Sequence, residues 1–269
     1  MSTQDRASLF RRIDIRLPWL KLVTVLVLGL IIVLDLTDLT ISKLIDPSDH
    51  IKIAPMSRHV KATERDPHGK MLVALTFDDG PSPVTTPMLL DVLTEKDVPA
   101  TFFMLGFMAR DNPEIVQRVA RERHDVASHT MYHQNLVKLP APAAQADIAE
   151  SNSTFNSILG HGPAFTRPPY GNINDVVATS VGTPLVLWSV DTRDWQSKDV
   201  GAIVSTAMSQ VYDGAIILMH DIYPSSVEAI PTLVDALRDA GYEFVTISEM
   251  AKLRGIQLTP GTAYYNLAP

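Results

Sequence analysis

From Met71 onward, short apolar runs of strand length alternate with stretches of helical spacing, and no other feature limits the fold as strongly. Strands are expected at Leu72–Phe77, Ala100–Met104, Asp125–Ala127, Ala164–Thr166, Leu185–Val190, Ala215–Met219 and Glu243–Thr246. Helical patterns fall between them, at Val84–Lys96, Pro113–Arg123, Pro142–Ile158, Asp175–Ser180, Val200–Val211, Ser226–Ala240 and Ser248–Arg254. Apolar strands separated by helices form a parallel sheet buried on both faces. Seven such units in about 185 residues fit a small or incomplete (β/α) barrel better than an open doubly wound sheet. In either fold, functional groups gather at the C-terminal ends of the strands.

The region before Met71 has a different character. Residues 1–21 carry Arg6, Arg11, Arg12, Arg16 and Lys21 against Asp5 and Asp14, and Leu22–Leu34 follows without a charge. A basic flank before an apolar run predicts a cytoplasmic N-terminus with the remainder exported. The 13-residue run is short for a full span of ~20 residues, so neighbours through Ile41 must lengthen it. A cleaved signal is the alternative, but Asp35-Leu36-Thr37-Asp38 supplies no small-residue cleavage site. The expected fold class is therefore α/β, an incomplete or distorted (β/α) barrel with an N-terminal membrane helix. The expected organisation is a basic cytoplasmic N-terminus over 1–21, a transmembrane anchor or signal segment over 22–41 and a stalk over 42–69. A catalytic domain over 70–256 and a C-terminal tail over 257–269 complete it.

Every unusual polar cluster falls at the end of an expected strand. Asp78 and Asp79 close the first, before Gly80-Pro81 turns the chain. His129-Thr-Met-Tyr-His133 follows the third, Arg167-Pro-Pro-Tyr-Gly171 the fourth, and Asp191-Thr-Arg-Asp194-Trp195 the fifth. Leu218-Met-His220-Asp221 ends the sixth. Taken singly, Asp-Asp-Gly is ordinary turn chemistry and two histidines four apart are ordinary helical surface. Together they converge. On a helix or helical turn, His129 and His133 share one face. With one carboxylate they make a two-histidine, one-aspartate set that suits Zn²⁺ in a hydrolase and other divalent ions too. An Fe(II) oxygenase uses the same ligand types, but the second Asp supplies the base that hydrolysis needs.

Arg167 sits in a loop stiffened by Pro168 and Pro169, where it can hold Asp78 ionised or form an ordinary salt bridge. His220 ends a core-type strand, where a packed structural role competes with that of an acid whose pKa Asp194 raises. Trp195 is either a wall for a sugar ring or core. His124 and His161 are expected to be structural, and His50, His59 and His68 surface residues.

These five clusters, in this order, resemble the motifs of the polysaccharide deacetylases of carbohydrate esterase family four, the NodB-homology domain. The resemblance covers about residues 71–254. It implies a distorted (β/α) barrel, with Asp79, His129 and His133 holding a divalent metal, most often Zn²⁺, with Co²⁺ or another ion as alternatives. It implies Asp78 as general base and Arg167 as its orienting partner. It also implies the Tyr170 amide as oxyanion donor, Asp194 as the residue tuning His220, and His220 as the acid that protonates the leaving amine. Leu218 and Trp195 fall at substrate-binding positions. One departure is Arg123-His124-Asp125, where the family often has Gly-His-Glu, and it bears on local loop shape.

The implied reaction removes N-acetyl groups from N-acetylhexosamine residues of a glycan. An extracytoplasmic anchor points to peptidoglycan, with chitin oligomers, an exopolysaccharide or acetyl-xylan as alternatives. A catalytically silent glycan-binding module is the rival class, and a purely structural membrane protein has no use for these clusters. The formal charge of −7 argues against nucleic acid as a partner. The absence of cysteine removes disulfides, thiolate metal sites and a Cys nucleophile.

Overall fold

The computed structural model describes residues 69–269. In chain order these form β1 (Met71–Asp78), α1 (Thr85–Glu95), β2 (Thr101–Met104), α2 (Gly106–Asp111), α3 (Pro113–Arg121) and β3 (Asp125–Ser128). Next come α4 (Ala141–Leu159), α5 (Asp175–Ser180), β4 (Leu185–Val186), β5 (Val190–Asp191), α6 (Asp194–Ser197) and α7 (Val200–Gln210). The chain closes with β6 (Ala215–His220), α8 (Pro224–Asp239), β7 (Tyr242–Phe244), α9 (Ile247–Leu253) and β8 (Ala263–Tyr264).

The main sheet is parallel and runs β3-β2-β1-β6-β5, with β7 pairing the first half of β1. Beyond β3 the pairing continues through Thr166, which bridges both Ser128 and Leu185. Leu185 opens β4, which precedes β5 in the chain without pairing with it, so the ring of strands is incomplete. This is a distorted α/β barrel, with β1 at the middle of its main sheet. Strand polarity explains the layers. Val73, Leu75 and Phe77 point outward into a core shared with helices α1, α3, α7 and α8, while Leu72 and Ala74 point inward to Phe103, Ala127 and Ile216. Successive side chains alternate faces, so Thr76 and Asp78 continue the inward row.

Helix ends follow their local chemistry. Proline occupies the first turn of α3, α4 and α8, where a missing N–H costs nothing. Asn174 and Asp199 accept the amides of Val177 and Ala202, and Thr246 with Glu249 forms a capping box on α9.

Two expectations change. The strand expected over Leu185–Val190 is two short strands, because Leu185–Val186 pairs β8 and Val190–Asp191 pairs β6. The Ala164–Thr166 strand is reduced to the bridge at Thr166. The C-terminal tail over 257–269 packs on the domain: β8 pairs β4, Asn266 bridges Ala215, and Leu267 is buried. The membrane helix expected over 22–41, with its flanks, lies outside the described residues. Among the described residues no helix is long and apolar enough to cross a membrane.

Candidate metal centre and active site

β1 ends between β2 and β6, and its last inward side chain is Asp78. Beside it, in register on β6, stands His220. Asp79 follows with φ 75°, a left-handed backbone that turns its carboxylate across the barrel mouth. Its Oδ1 lies 3.5 Å from His129 Nε2 and 3.3 Å from His133 Nε2. One ligand atom from each of Asp79, His129 and His133 fits within 4.8 Å of the others. The two histidines do meet, though no helix brings them together. They sit in a loop after β3 in which Thr130 (φ 72°) and His133 (φ 55°) are left-handed.

The donor set fits a divalent cation. Asp79 Oδ1 is buried and has no hydrogen-bond partner, which is costly unless something positive faces it. His129 donates its Nδ1–H to the Arg167 carbonyl at 2.6 Å, leaving the Nε2 lone pair aimed at Asp79. Burial pushes the His129 pKa down to about 3, against the pull of Asp79, so the ring is neutral and ready to act as a ligand.

Arg167 fills the barrel interior and is wholly buried. Its Nη1 donates to Asp78 Oδ1 at 2.7 Å and to Thr76 Oγ1 at 2.9 Å. Its Nε and Nη2 donate to the carbonyls of Val186 and Leu187 at 2.9 and 2.8 Å, and the guanidinium lies 3.8 Å over the Phe103 ring. Burial raises the Asp78 pKa, and the Arg167 charge opposes that rise. The side chain that could have been an ordinary loop salt bridge is the central strut of the site.

On the other flank, Asp194 is the first residue of α6 and fully buried. Its Oδ1 accepts the Nδ1–H of His220 at 2.8 Å, and its Oδ2 accepts the His220 amide at 2.7 Å and the Ser226 hydroxyl at 2.6 Å. Burial alone would lower the His220 pKa. The bond to Asp194 and its charge outweigh that and raise it to about 9, so the ring is protonated at neutral pH.

Tyr170 and Trp195 stand at the rim, 63% and 48% exposed. The Tyr170 backbone is left-handed (φ 62°), and its ring meets His133 edge-on at 5.1 Å. Leu218 is buried in β6, where its carbonyl accepts the Thr192 hydroxyl at 2.9 Å. His124 is structural as expected. It is buried, with Nδ1 accepting the Ala100 amide at 3.1 Å. His161 is exposed. At the Arg123-His124-Asp125 departure, Arg123 itself adopts φ 70°. Reading the sequence missed Thr76, Ser226 and Asp147, the last of which accepts the Met131 amide inside the histidine loop. Of these, only Thr76 carried a signal, lying two residues before Asp78 on the same strand face.

Two histidines and an aspartate that could share one ion, beside a buried carboxylate and a carboxylate-paired histidine at the C-terminal mouth of a parallel α/β barrel, form an arrangement suited to a metal-dependent hydrolase. The polysaccharide deacetylase family model matches residues 65–183. The chitooligosaccharide deacetylase of Bradyrhizobium sp. is 37% identical over 209 residues, covering 71% of this chain and 95% of that protein. The peptidoglycan-N-acetylglucosamine deacetylase PgdA of Listeria monocytogenes is 40% identical over 194 residues, covering 72% of this chain. This chain spans about 41% of the length of that relative. Among solved structures, a "T48 deacetylase with substrate" superimposes with a TM-score of 0.70 at 41% identity, covering 74% of this chain and 98% of that one. The chain belongs to the polysaccharide deacetylase family.

Proposed function

We propose that this protein hydrolyses N-acetyl groups from N-acetylglucosamine residues of a cell-envelope polysaccharide, with peptidoglycan as the substrate. The observation that carries the reading is the juxtaposition of two assemblies on neighbouring strands. They are the Arg167-held Asp78 beside Asp79, His129 and His133, and the Asp194-held His220.

Asp79, His129 and His133 would hold the ion, with Zn²⁺ or Co²⁺ suited to this nitrogen–oxygen donor set. Such an ion would supply Lewis acidity, making a water easier to deprotonate and offsetting charge on the acetamide oxygen. Asp78 takes the proton from the attacking water, and Arg167 keeps its carboxylate ionised and aimed. The Tyr170 amide faces the oxygen on which charge develops. His220 Nε2 then delivers its proton to the departing amine, and Asp194 holds the ring by Nδ1 so that Nε2 is the end that gives. Trp195 offers an exposed ring face to a neighbouring sugar, and Leu218 backs the pocket from β6.

The peptidoglycan substrate is supported by the Listeria relative, a peptidoglycan-N-acetylglucosamine deacetylase. The Bradyrhizobium relative, matched over nearly its whole length, favours chitooligosaccharides as the second reading. For the full chain we infer a single-pass membrane protein anchored by the apolar segment within 22–41, with the catalytic domain outside the cytoplasm. Fractionation with an antibody to the C-terminal domain tests this, and a shortened form in the medium would indicate a cleaved signal instead. The substrate test is acetate release by the full chain, with divalent ion and with chelator, on peptidoglycan and chitooligosaccharides side by side. Ion-dependent release from peptidoglycan alone supports the proposal. Release from chitooligosaccharides alone keeps the reaction and replaces the substrate. No release from either, with ion bound, favours a glycan-binding module.

A further inference from the structure

The histidine loop has an unfavourable backbone. Left-handed conformations at Thr130 and His133 are unfavourable for residues other than glycine, so the surroundings must impose them. Two sets of contacts do so. From the N-terminus of α2, the amides of Gly106 and Phe107 donate to the carbonyls of Thr130 and Met131 at 2.8 and 3.2 Å. From α4, residues 147, 150, 151 and 154 form one stripe at i, i+3, i+4, i+7 that faces the loop.

In that stripe, the Ser151 hydroxyl bonds Ser128 at 2.8 Å, and Ser128 in turn accepts the Thr130 amide at 3.1 Å. Glu150 accepts the Tyr132 hydroxyl at 2.8 Å. Asp147 accepts the Met131 amide at 2.7 Å, midway between the two histidines. Asp147 is buried, and its second oxygen has no hydrogen-bond partner. A carboxyl buried on the face of α4 that meets the loop is a costly device for stability, since an apolar residue there would pack without the desolvation penalty. Its position, bonded to the backbone between two ligands, gives it a different use.

We propose that Asp147 is a positioning residue, bonding the Met131 amide so that His129 and His133 present their Nε2 atoms to one metal ion. The inference rests on the metal-site reading above. It is tested by measuring Zn²⁺ and Co²⁺ affinity by chelator competition for the wild type, Asp147→Ala and Asp147→Asn, together with melting temperature in excess chelator. Asp147→Ala is expected to bind roughly 10–100-fold more weakly, and Asp147→Asn, which keeps an acceptor oxygen, within about fivefold of wild type. The Co²⁺ absorption spectrum of Asp147→Ala should change with the altered ligand geometry.

Val116→Ala, a core truncation under α3, serves as the comparison: it should lower the melting temperature without moving the affinity. Metal affinity in Asp147→Ala within about threefold of wild type would overturn the proposal. If Asp147→Ala does not fold, Asp147→Ser is held to the same threshold. Failure of both to fold while Asp147→Asn folds would overturn it in favour of a purely structural role. A wild-type protein that binds neither ion would instead overturn the metal-site reading itself.

Discussion

On the β5–β6 flank of the site, both oxygens of Asp194 are occupied, by the His220 ring and backbone and by Ser226. In the barrel interior, Arg167 likewise spends its donors on Asp78, Thr76 and two carbonyls. On the β3 flank, Asp79 Oδ1 is buried without a partner, between two imidazole nitrogens. The acid–base flank is thus complete within the protein, and the β3 flank requires a cation to complete it. Disturbing the first should act on protein stability or on turnover at constant metal affinity. Disturbing the second should act on metal affinity first. A site that follows neither rule would break the comparison.

The largest effect is expected from Arg167→Leu. It leaves the Asp78 carboxylate buried and uncompensated, so unfolding in urea should show a loss of about 3–5 kcal/mol. A loss below about 1 kcal/mol would mean that the strut is not carrying the barrel interior. His220→Ala comes next. Turnover should fall roughly 10²–10⁴-fold with metal affinity unchanged, and an equal fall in affinity would place His220 on the wrong flank. The pair Asp78→Ala and Asp79→Ala divides the two flanks at adjacent residues: the first should be inactive and still bind the ion, the second should lose it. A reversed outcome would exchange their roles. Adding Zn²⁺ at 100 times its Kd to chelator-treated protein should stabilise the fold by about 2.7 kcal/mol. No shift in the melting temperature would mean that Asp79 Oδ1 is stranded for another reason.

Legibility differed between the flanks in the same way. β1, β2, β3 and β6 were readable to within a residue or two, because apolar runs between turn residues report burial directly. Asp78, Asp79 and His220 were therefore readable as strand-end groups. The His129–His133 pairing rested on spacing, which would bring the two together on a helix or helical turn and says nothing of the loop they occupy. Its left-handed residues are imposed by α2 and α4, which are remote in the chain. Helix α2 itself, six residues opening at Gly106, is too short to show a period. Strand β8 has two residues, and only its pairing with β4 makes it a strand. Asp147 lay within a correctly read helix, but on a face whose partner loop no local pattern identifies.

The smallest expected effect is also the sharpest test of the complete flank. His220 has a pKa of about 9 although burial pulls it down, so the raise comes chiefly from Asp194, with the charges of Asp78 and Asp79 adding to it. Asp194→Asn removes the largest of these charges and leaves the burial, and the pKa should then fall. The acid must be protonated to serve the leaving amine, so activity is lost as pH rises through the His220 pKa. The alkaline limb of the wild-type profile should accordingly move to lower pH in the variant, leaving a partial recovery of turnover on the acid side. Stability follows the same sign. A histidine whose folded pKa exceeds its unfolded value adds stability that is full below about pH 6.5 and is lost as pH rises towards 9. Wild-type urea midpoints should therefore decline across that window, and Asp194→Asn should decline less. A variant whose rate profile and urea midpoints both keep their wild-type pH dependence would show that the charge of Asp194 does not set the His220 proton, and the β5–β6 flank would no longer count as complete within the protein.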